Sequence, residues 1–388
     1  MESTKRRRAA GGGWLVRCKS NAVPNADKYS PYKLVKHAER LAAFERGETV
    51  FPVLVPVNLT NVCNHDCPLC TTKNKGQVFV AREVLERLIP ELKRLGAKAM
   101  GFGGGGDPTC HPAFAEILEL AHANGLESAV VTNGYHLTDR AARAIVTGST
   151  YVRISLDADG PELYEKTHGM NGAAFDKTVR NIERLVEERR RSSGKTTIGV
   201  SYLLGPHTAS GAYNATALCK RLGADYIRLR PFFQWGGKSL SEEQAAEIRR
   251  ELDRCRTLSG ASFEVSAPEY RVSAMATPSR RFFLECGIHH FMPIIDADSK
   301  VYPCCFHVDK EEYCFGDLTK NTFEEIWNSS RRREACGRID LSKCPNPCMQ
   351  ERHNDLLWAV KTKALPPWMS FSELIEAVES PLAHSNFF

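Results

Sequence analysis

The chain has 388 residues, of which 42% are hydrophobic and 25% are charged, with a formal net charge of +6. This composition is typical of an ordinary soluble protein with one large or two smaller domains, and it excludes a disordered or collagen-like chain. No run of about 18 apolar residues predicts a membrane span, and no apolar segment of a secretory signal follows the basic start. Fourteen cysteines beside so many core-forming residues indicate cytosolic metal or cluster chemistry rather than a secreted disulfide framework.

Most of the positive charge lies in residues 1–19, which contribute +5 of the total +6. Three glycines follow its basic run, so this segment is predicted to be a solvated, disordered arm. A metal-stabilised protein whose arm contacts nucleic acid is the alternative from another functional class. The scarcity of excess basic residues beyond the arm disfavours nucleic acid as a partner.

From Phe51 onward, predicted strands alternate with predicted helices. Strands are predicted at 53–58, 98–102, 127–132, 151–156, 196–203 and 226–230, and helices at 81–95, 113–124, from 139, at 175–190, 213–222 and 241–257. This alternation predicts an α/β fold with a parallel sheet, helices packed outside it, and ligands at the carboxyl ends of the strands.

The composition divides the chain further. Residues 1–50 are predicted to be an arm and N-terminal extension, 51–258 the core, and 259–285 a linker. Residues 286–355 are rich in cysteine and aromatic side chains, with one clear helix at 322–328, and are predicted to need a bound metal because short elements bury little apolar area. The tail, 356–388, is predicted to form a single surface helix at 372–379.

The first cysteine motif follows the first predicted strand directly. Three residues separate Cys63 from Cys67, and two separate Cys67 from Cys70. Pro68, directly after Cys67, disfavours a helix, so a loop around a metal centre is predicted. Zinc needs a fourth ligand, for which His65 is the candidate. A [4Fe–4S] cluster held by three thiolates would instead keep one iron open.

A glycine run closes the second predicted strand and ends in Gly105-Gly106-Asp107-Pro108. Gly101, Gly103 and Gly106 formally match the dinucleotide fingerprint, but Asp107 would repel phosphates and Pro108 delays the helix that the fingerprint requires. Backbone carbonyls followed by a carboxylate suit a cation instead.

The cysteine motif, in this position of a β/α series, resembles that of the radical S-adenosylmethionine (SAM) enzymes. The resemblance implies that SAM chelates the open iron and is cleaved to a 5′-deoxyadenosyl radical that abstracts hydrogen from a substrate. The Gly105–Pro108 segment is similar to the Gly-Gly-Glu-Pro motif that holds the SAM ammonium, with Asp in place of Glu. By the same resemblance, later strand ends contact SAM through Asn133, Ser155, Asp157 and Arg230, in segments that include Thr132, Gly134, Ser201 and Pro231.

The second cysteine group consists of Cys286, Cys304, Cys344 and Cys348, and between them Phe323–Ser329 resembles the SPASM/Twitch extension of radical SAM enzymes. The resemblance implies a partial (β/α)6 TIM-like barrel followed by a small cysteine-rich α+β domain, with a second, auxiliary [4Fe–4S] cluster on these four thiolates. Zinc in the same thiolates is the alternative. Cys305, Cys314 and Cys336 remain outside this ligand set.

The resemblance also implies a reaction class. We expect a small-molecule substrate, with oxidation or epimerisation of an aminoglycoside-type carbinol, and a flavodoxin- or ferredoxin-type electron donor in the cytoplasm. The alternative is a peptide-modifying maturase, disfavoured because the stretch before Val53 looks too short for a leader-binding domain. Candidate hydrogen donors are Cys305, Cys314 and Cys110, and His289, His290 and His307 are candidates for orienting a substrate.

Overall fold

A computed structural model describes residues 28, 30–70, 72, 76–231, 240–267, 271 and 280–388. The predicted basic arm, residues 1–19, lies outside these ranges, as does part of the predicted linker. Within the described ranges, no helix combines the length and the apolar character needed to cross a bilayer.

The described strands form one sheet. They are β1 (Leu54–Val57), β2 (Ala99–Phe102), β3 (Glu127–Thr132), β4 (Tyr151–Ser155), β5 (Thr197–Leu204), β6 (Tyr226–Pro231), β7 (Glu264–Ser266), β8 (Ile294–Ile295), β9 (Lys300–Tyr302) and β10 (Gly316–Asp317). Their order is β10-β9-β8-β1-β2-β3-β4-β5-β6-β7. Strands β1 to β7 pair in parallel, β8 joins β1 in parallel, and β8, β9 and β10 form an antiparallel meander.

The described α-helices are α1 (Ala38–Glu45), α2 (Arg82–Arg94), α3 (Phe114–Ala123), α4 (Asp139–Gly148), α5 (Pro161–His168), α6 (Gly172–Arg191), α7 (Ala212–Leu222), α8 (Glu242–Arg256), α9 (Phe323–Asn328), α10 (Ser330–Gly337), α11 (Glu351–Thr362) and α12 (Phe371–Glu379). The strands and helices predicted for the core are confirmed. Helix α5 and strand β7 were missed, and β7 lies within the predicted linker.

The helices of the core pack on one face of the parallel sheet. Alternate strand residues such as Val152 and Ile154 of β4 are buried in this layer. On the opposite face, Leu54, Ala99 and Ala129 from three neighbouring strands gather around Phe387. The sheet therefore curves into an open barrel whose base is filled by the last residues of the chain.

The cysteine-rich region continues the barrel sheet through β8, and it contains more helix than predicted. The expectation of one clear helix there was wrong, because α10 and α11 accompany α9. Helix α10 is polar along its length and buries chiefly Arg332 and Ala335, so it has no apolar period to detect. Helix α11 crosses the predicted boundary between residues 355 and 356.

The N-terminal extension packs with the cysteine-rich region and the tail. Tyr32, Leu34, Ile288, Phe291 and Leu356 share one hydrophobic cluster. The predicted tail helix is confirmed as α12, which buries Ala377 in this cluster and leaves Phe371 71% exposed.

Candidate active site

The three cysteines of the first motif lie together on the loop after β1. Burial, followed by the negative charges of Cys63 and Cys70, raises the pKa of Cys67 to about 12, so the three thiols are neighbours. Burial likewise raises the pKa of Cys63. Of the three, Cys63 and Cys67 are half-buried and Cys70 is exposed. Neighbouring thiolates repel one another, and the positive charge of a metal centre would offset that repulsion. The residues present therefore fit an iron–sulfur cluster.

His65, the candidate fourth ligand for zinc, uses both ring nitrogens in hydrogen bonds. Nδ1 lies 2.8 Å from Oδ1 of Asn64, and Nε2 lies 2.9 Å from the hydroxyl of Tyr164. These contacts anchor the His65 loop to α5 and engage both ring nitrogens, which disfavours the alternative of a zinc site with His65 as fourth ligand. Within the described ranges, no three or more His, Cys, Asp or Glu side chains converge on a single metal ion.

Helix α5 supports the cysteine loop, and sequence reasoning missed it. Tyr164 stacks on His168 with ring centroids 4.0 Å apart and lies 3.1 Å from the hydroxyl of Thr178. At the end of α5, Gly169 has φ +63, and a Cβ there would lie 2.3 Å from the carbonyl oxygen of Asp66. The available signals were Pro161 at the helix start and Gly169 after its end, on a segment too short for a clear apolar period.

The glycine motif packs directly against the cysteine loop. The backbone N–H groups of Gly106 and Asp107 donate to the carbonyls of Thr60 and Val62, over 2.7 and 2.9 Å. A Cβ at Gly106 would lie 2.0 Å from the Val62 oxygen, so only glycine fits this contact. Gly103, Gly104 and Gly105 all have positive φ, which glycine adopts without strain.

The Asp107 carboxylate is buried and turned toward the protein. It accepts hydrogen bonds from the backbone N–H groups of Thr109 and Asn133, at 2.9 and 2.7 Å, and from the hydroxyl of Thr132 at 2.8 Å. Asp107 caps the short 3-10 helix that begins at Pro108. These bonds hold the motif in place, and the predicted contact of Gly105–Pro108 with SAM stays a prediction.

Asn133 joins the glycine motif to the cysteine loop. Its side-chain amide donates to Oδ1 of Asn64 over 2.7 Å and to the Cys63 sulfur over 3.7 Å. A hydrogen bond to the sulfur favours the thiolate form that a metal requires. The structure thus brings three predicted site segments together at the carboxyl ends of β1, β2 and β3.

The predicted residues Ser155, Asp157 and Arg230 lie at the carboxyl ends of β4 and β6. Asp157 has φ +45, and its Oδ1 accepts a hydrogen bond of 2.6 Å from the backbone of Leu203. Burial raises the pKa of Asp157 to about 6, an effect that the charges of Arg230 and Arg153 oppose. This acid therefore titrates close to neutral pH.

The four cysteines of the second group also lie together. Burial, followed by the charges of Cys348 and Cys344, raises the pKa of Cys286 to about 12. Burial and nearby thiols that include Cys286 also raise the pKa of Cys304. Nε2 of His307 lies 3.9 Å from the Cys344 sulfur. Four neighbouring buried thiols fit an auxiliary cluster for the same electrostatic reason as the first group.

The candidate hydrogen donors occupy different environments. Cys314 is buried against Ile294 and Tyr302 and donates to the Gly316 carbonyl over 3.6 Å, which favours a packing role. Cys305 is exposed, yet surrounding protein desolvates its thiol and raises its pKa. The hydrogen-donor role of Cys305 stays a prediction.

Cys110 and two of the candidate histidines are held by local contacts. The Cys110 pKa is raised to about 12 by burial and then by Asp107 and Cys63. His289 is buried with Nδ1 3.5 Å from the Cys336 sulfur, and the guanidinium of Arg332 donates to Nδ1 of His290 over 2.9 Å. These contacts place His289 beside Cys336 and His290 beside Arg332, and the substrate-orienting role of both histidines stays a prediction.

Comparison with known sequence families gives two matches. Residues 57–207 match the radical SAM superfamily, and residues 286–350 match the SPASM iron–sulfur cluster-binding domain. The first match contains the cysteine loop and the glycine motif, and the second begins at Cys286 and ends after Cys348.

Curated relatives and solved structures agree with these families. The chain is 27% identical to the mycofactocin maturase MftC of Mycobacterium tuberculosis, over 79% of this chain and 80% of that one. It is 25% identical to the dTDP-4-amino-4,6-dideoxy-D-glucose ammonia-lyase of Streptomyces venezuelae, over 53% and 45%. The SAM-bound structure of Streptococcus suis SuiB matches in fold with a TM-score of 0.59 and 14% identity, over 77% of this chain and 71% of that one.

The two matched domains and their cysteine sites imply SAM and [4Fe–4S] clusters as cofactors. The chain belongs to the radical SAM superfamily of enzymes and carries a C-terminal SPASM domain.

Proposed function

We propose that this radical SAM enzyme is a maturase that abstracts a hydrogen atom from a peptide substrate. The observation that carries the proposal is the similarity to mycofactocin maturase, which extends over 79% of this chain and 80% of that enzyme. The earlier preference for a sugar substrate gives way because the ammonia-lyase similarity covers 53% of this chain and less than half of that enzyme.

Cys63, Cys67 and Cys70 would hold the SAM-binding cluster. When bound and reduced, this cluster supplies the electron that cleaves a C–S bond of SAM and releases the 5′-deoxyadenosyl radical. The chain's own part is to fix the loop. His65 ties it to Tyr164, and Asn133 donates to the Cys63 sulfur and ties the loop to the glycine motif. Cys286, Cys304, Cys344 and Cys348 would hold the auxiliary cluster, which would supply an electron acceptor for the oxidation of a substrate radical.

A sugar substrate is the second candidate function. The similarity to an enzyme of dTDP-amino sugars favours it, and so does the exposed thiol of Cys305. In an epimerisation, Cys305 would return a hydrogen atom to the substrate carbon, and the resulting thiyl radical would need reduction by an external electron donor. A peptide oxidation needs no such hydrogen atom.

The radical chemistry is tested with anaerobically reconstituted protein, SAM and dithionite. We expect 5′-deoxyadenosine from the wild type and from Cys219→Ala, a control in α7 remote from the cysteine sites, and none from Cys67→Ala. Equal SAM cleavage by Cys67→Ala would contradict the assignment. About four irons per chain, rather than about eight, would contradict two clusters.

The substrate class is tested by deuterium transfer into 5′-deoxyadenosine. The probes are a deuterated peptide encoded beside the gene and a deuterated dTDP-amino sugar. Transfer from the peptide supports the maturase, and transfer from the sugar alone overturns it.

A further inference from the structure

Three arginines lie on the concave face of the barrel, on strands β4 and β6. They are Arg153, Arg228 and Arg230. Their strand neighbours are buried in the layer between sheet and helices: Val152, Ile154, Ile227 and Leu229. Because side chains alternate along a strand, the arginines face the other side, into the barrel. Guanidinium groups on neighbouring inward-facing positions produce a positive potential there.

Ser201 lies between these arginines on the intervening strand β5. It pairs in register with Ser155 of β4 and with Arg228 of β6. Ser201 is fully buried, and its hydroxyl oxygen has no hydrogen-bond partner among the described residues. A buried hydroxyl without a partner destabilises the fold, so this group is suited to a ligand that accepts its hydrogen bond.

A second polar atom without a partner lies close to Arg228. His353 of α11 is 7% exposed, and its Nε2 has no hydrogen-bond partner among the described residues. Burial, followed by the positive charges of Lys33, Arg271 and Arg228, lowers the pKa of His353 to about 3. His353 is therefore neutral at pH 7 and stands among cations, which is an environment that attracts an anion.

The base of the barrel below this layer is closed. Phe387 contacts the ring of Tyr151 with centroids 5.2 Å apart, and Tyr226 fills the space above Gly199, where a Cβ would lie 2.1 Å from its ring. Arg153 and Tyr226 both pair in register with Gly199, so Ser201 and Arg228 lie one inward-facing position nearer the carboxyl ends of the strands than this ring. Guanidinium forks bind carboxylates and phosphates through paired hydrogen bonds.

We propose that Arg153, Arg228 and Ser201 bind an oxyanion of the substrate, a carboxylate or a phosphate, inside the barrel. The inference deepens the proposed function and rests on it. An oxyanion is the chemistry that the two substrate candidates share, as the carboxylate of a peptide or the diphosphate of a nucleotide sugar. Arg230, at the strand end, remains with the predicted SAM contacts.

The test measures binding by calorimetry to the reconstituted holoenzyme at saturating SAM. The probes are N-acetylglycine, its uncharged amide, and inorganic pyrophosphate. We expect the wild type to bind one of the two anions and not the amide. Arg153→Gln and Arg228→Gln should each weaken binding at least about tenfold, and Ser201→Ala about threefold, because hydrogen bonds to charged groups are the stronger ones. Arg221→Gln, an exposed arginine of α7, is the matched control and should bind as wild type.

Tighter binding of N-acetylglycine assigns the oxyanion to a carboxylate, and tighter binding of pyrophosphate assigns it to a phosphate. Failure of the wild type to bind either anion overturns the inference, as does unchanged binding by Arg228→Gln with wild-type iron content. Weakened SAM binding in Arg153→Gln and Arg228→Gln with unchanged anion binding also overturns it. Absence of 5′-deoxyadenosine from the wild type would instead refute the proposed function, so the two failures are distinguishable.

Discussion

The two cysteine sites are built differently. The first three cysteines lie on one loop, held by the barrel through His65 to α5, Gly106 to the start of the loop, and Asn133 to β3. The four auxiliary cysteines come from three segments between short elements. The first loop is therefore positioned by the barrel core, whereas the second site depends on the metal that its thiols share.

The local contacts of the auxiliary site support this contrast. Arg281 donates to the Cys344 carbonyl over 2.9 Å, and the Gln350 N–H donates to the Cys348 sulfur over 3.4 Å. These bonds span loop segments and 3-10 turns rather than long strands. Metal loss should therefore disturb the auxiliary site more than the first cysteine loop.

The largest expected effect is on SAM cleavage, which should depend on the first cysteine site and much less on the auxiliary site. Cys67→Ala should lower 5′-deoxyadenosine formation by more than about a thousandfold, because it removes a ligand of the SAM-binding cluster. Cys348→Ala should retain SAM cleavage within about tenfold while losing about half of the iron. Equal loss of SAM cleavage in both variants would break the comparison.

Metal removal should unfold the cysteine-rich region and leave the barrel core folded. After chelation of the iron, amide hydrogen exchange in residues 300–317 and 341–350 should accelerate by more than about a hundredfold. Exchange in β2 and β3 should change less than about threefold, because the barrel core keeps their hydrogen bonds. Uniform acceleration across both regions, measured by mass spectrometry, would show that the barrel also depends on the metal.

Gly106→Ala should disrupt the contact between the glycine motif and the cysteine loop. Its Cβ would clash with the Val62 carbonyl, so we expect a loss of about 3 kcal/mol in the free energy of unfolding and poor iron loading at the first site. Gly337→Ala, where a Cβ meets nothing within 4 Å, is the matched control. Normal iron loading in Gly106→Ala would contradict the role given to this contact.

The smallest expected effect concerns pH. The pKa of Asp157 is raised from 3.8 to about 6 in the folded protein, so ionisation of Asp157 destabilises the fold as pH rises from about 4 through about 6. Asp157→Asn keeps an acceptor for Leu203 and tolerates the positive φ. Relative to wild type it should gain up to about 3 kcal/mol in unfolding free energy between pH 4 and 7.

The measurement is urea unfolding at several pH values, with the exposed Asp176→Asn of α6 as the control. Parallel pH profiles for wild type and Asp157→Asn would mean that Asp157 is not desolvated as described.

The core was predictable from sequence because its strands and helices have clear apolar periods and glycine or proline ends. Helix α5 and strand β7 were not predictable, because both are short and β7 lies in the irregular segment predicted as a linker. The cysteine ligands and glycine motif could be identified from spacing. The sequence could not predict that Asp107 turns inward or that His65 anchors its loop. These features depend on hydrogen bonds with Thr132 and Tyr164, which are distant in the sequence.

The residues that close the barrel base have a consequence for folding order. Asn386 donates to Glu127 across 259 residues of sequence, and Lys33 donates to the Phe387 carbonyl across 354. Contacts of such separation form late, because closing long chain segments is entropically costly. During synthesis the helical layer can assemble first, and the inner face of the barrel stays incomplete until these residues leave the ribosome. Closure of the barrel base therefore has to follow the synthesis of Asn386 and Phe387.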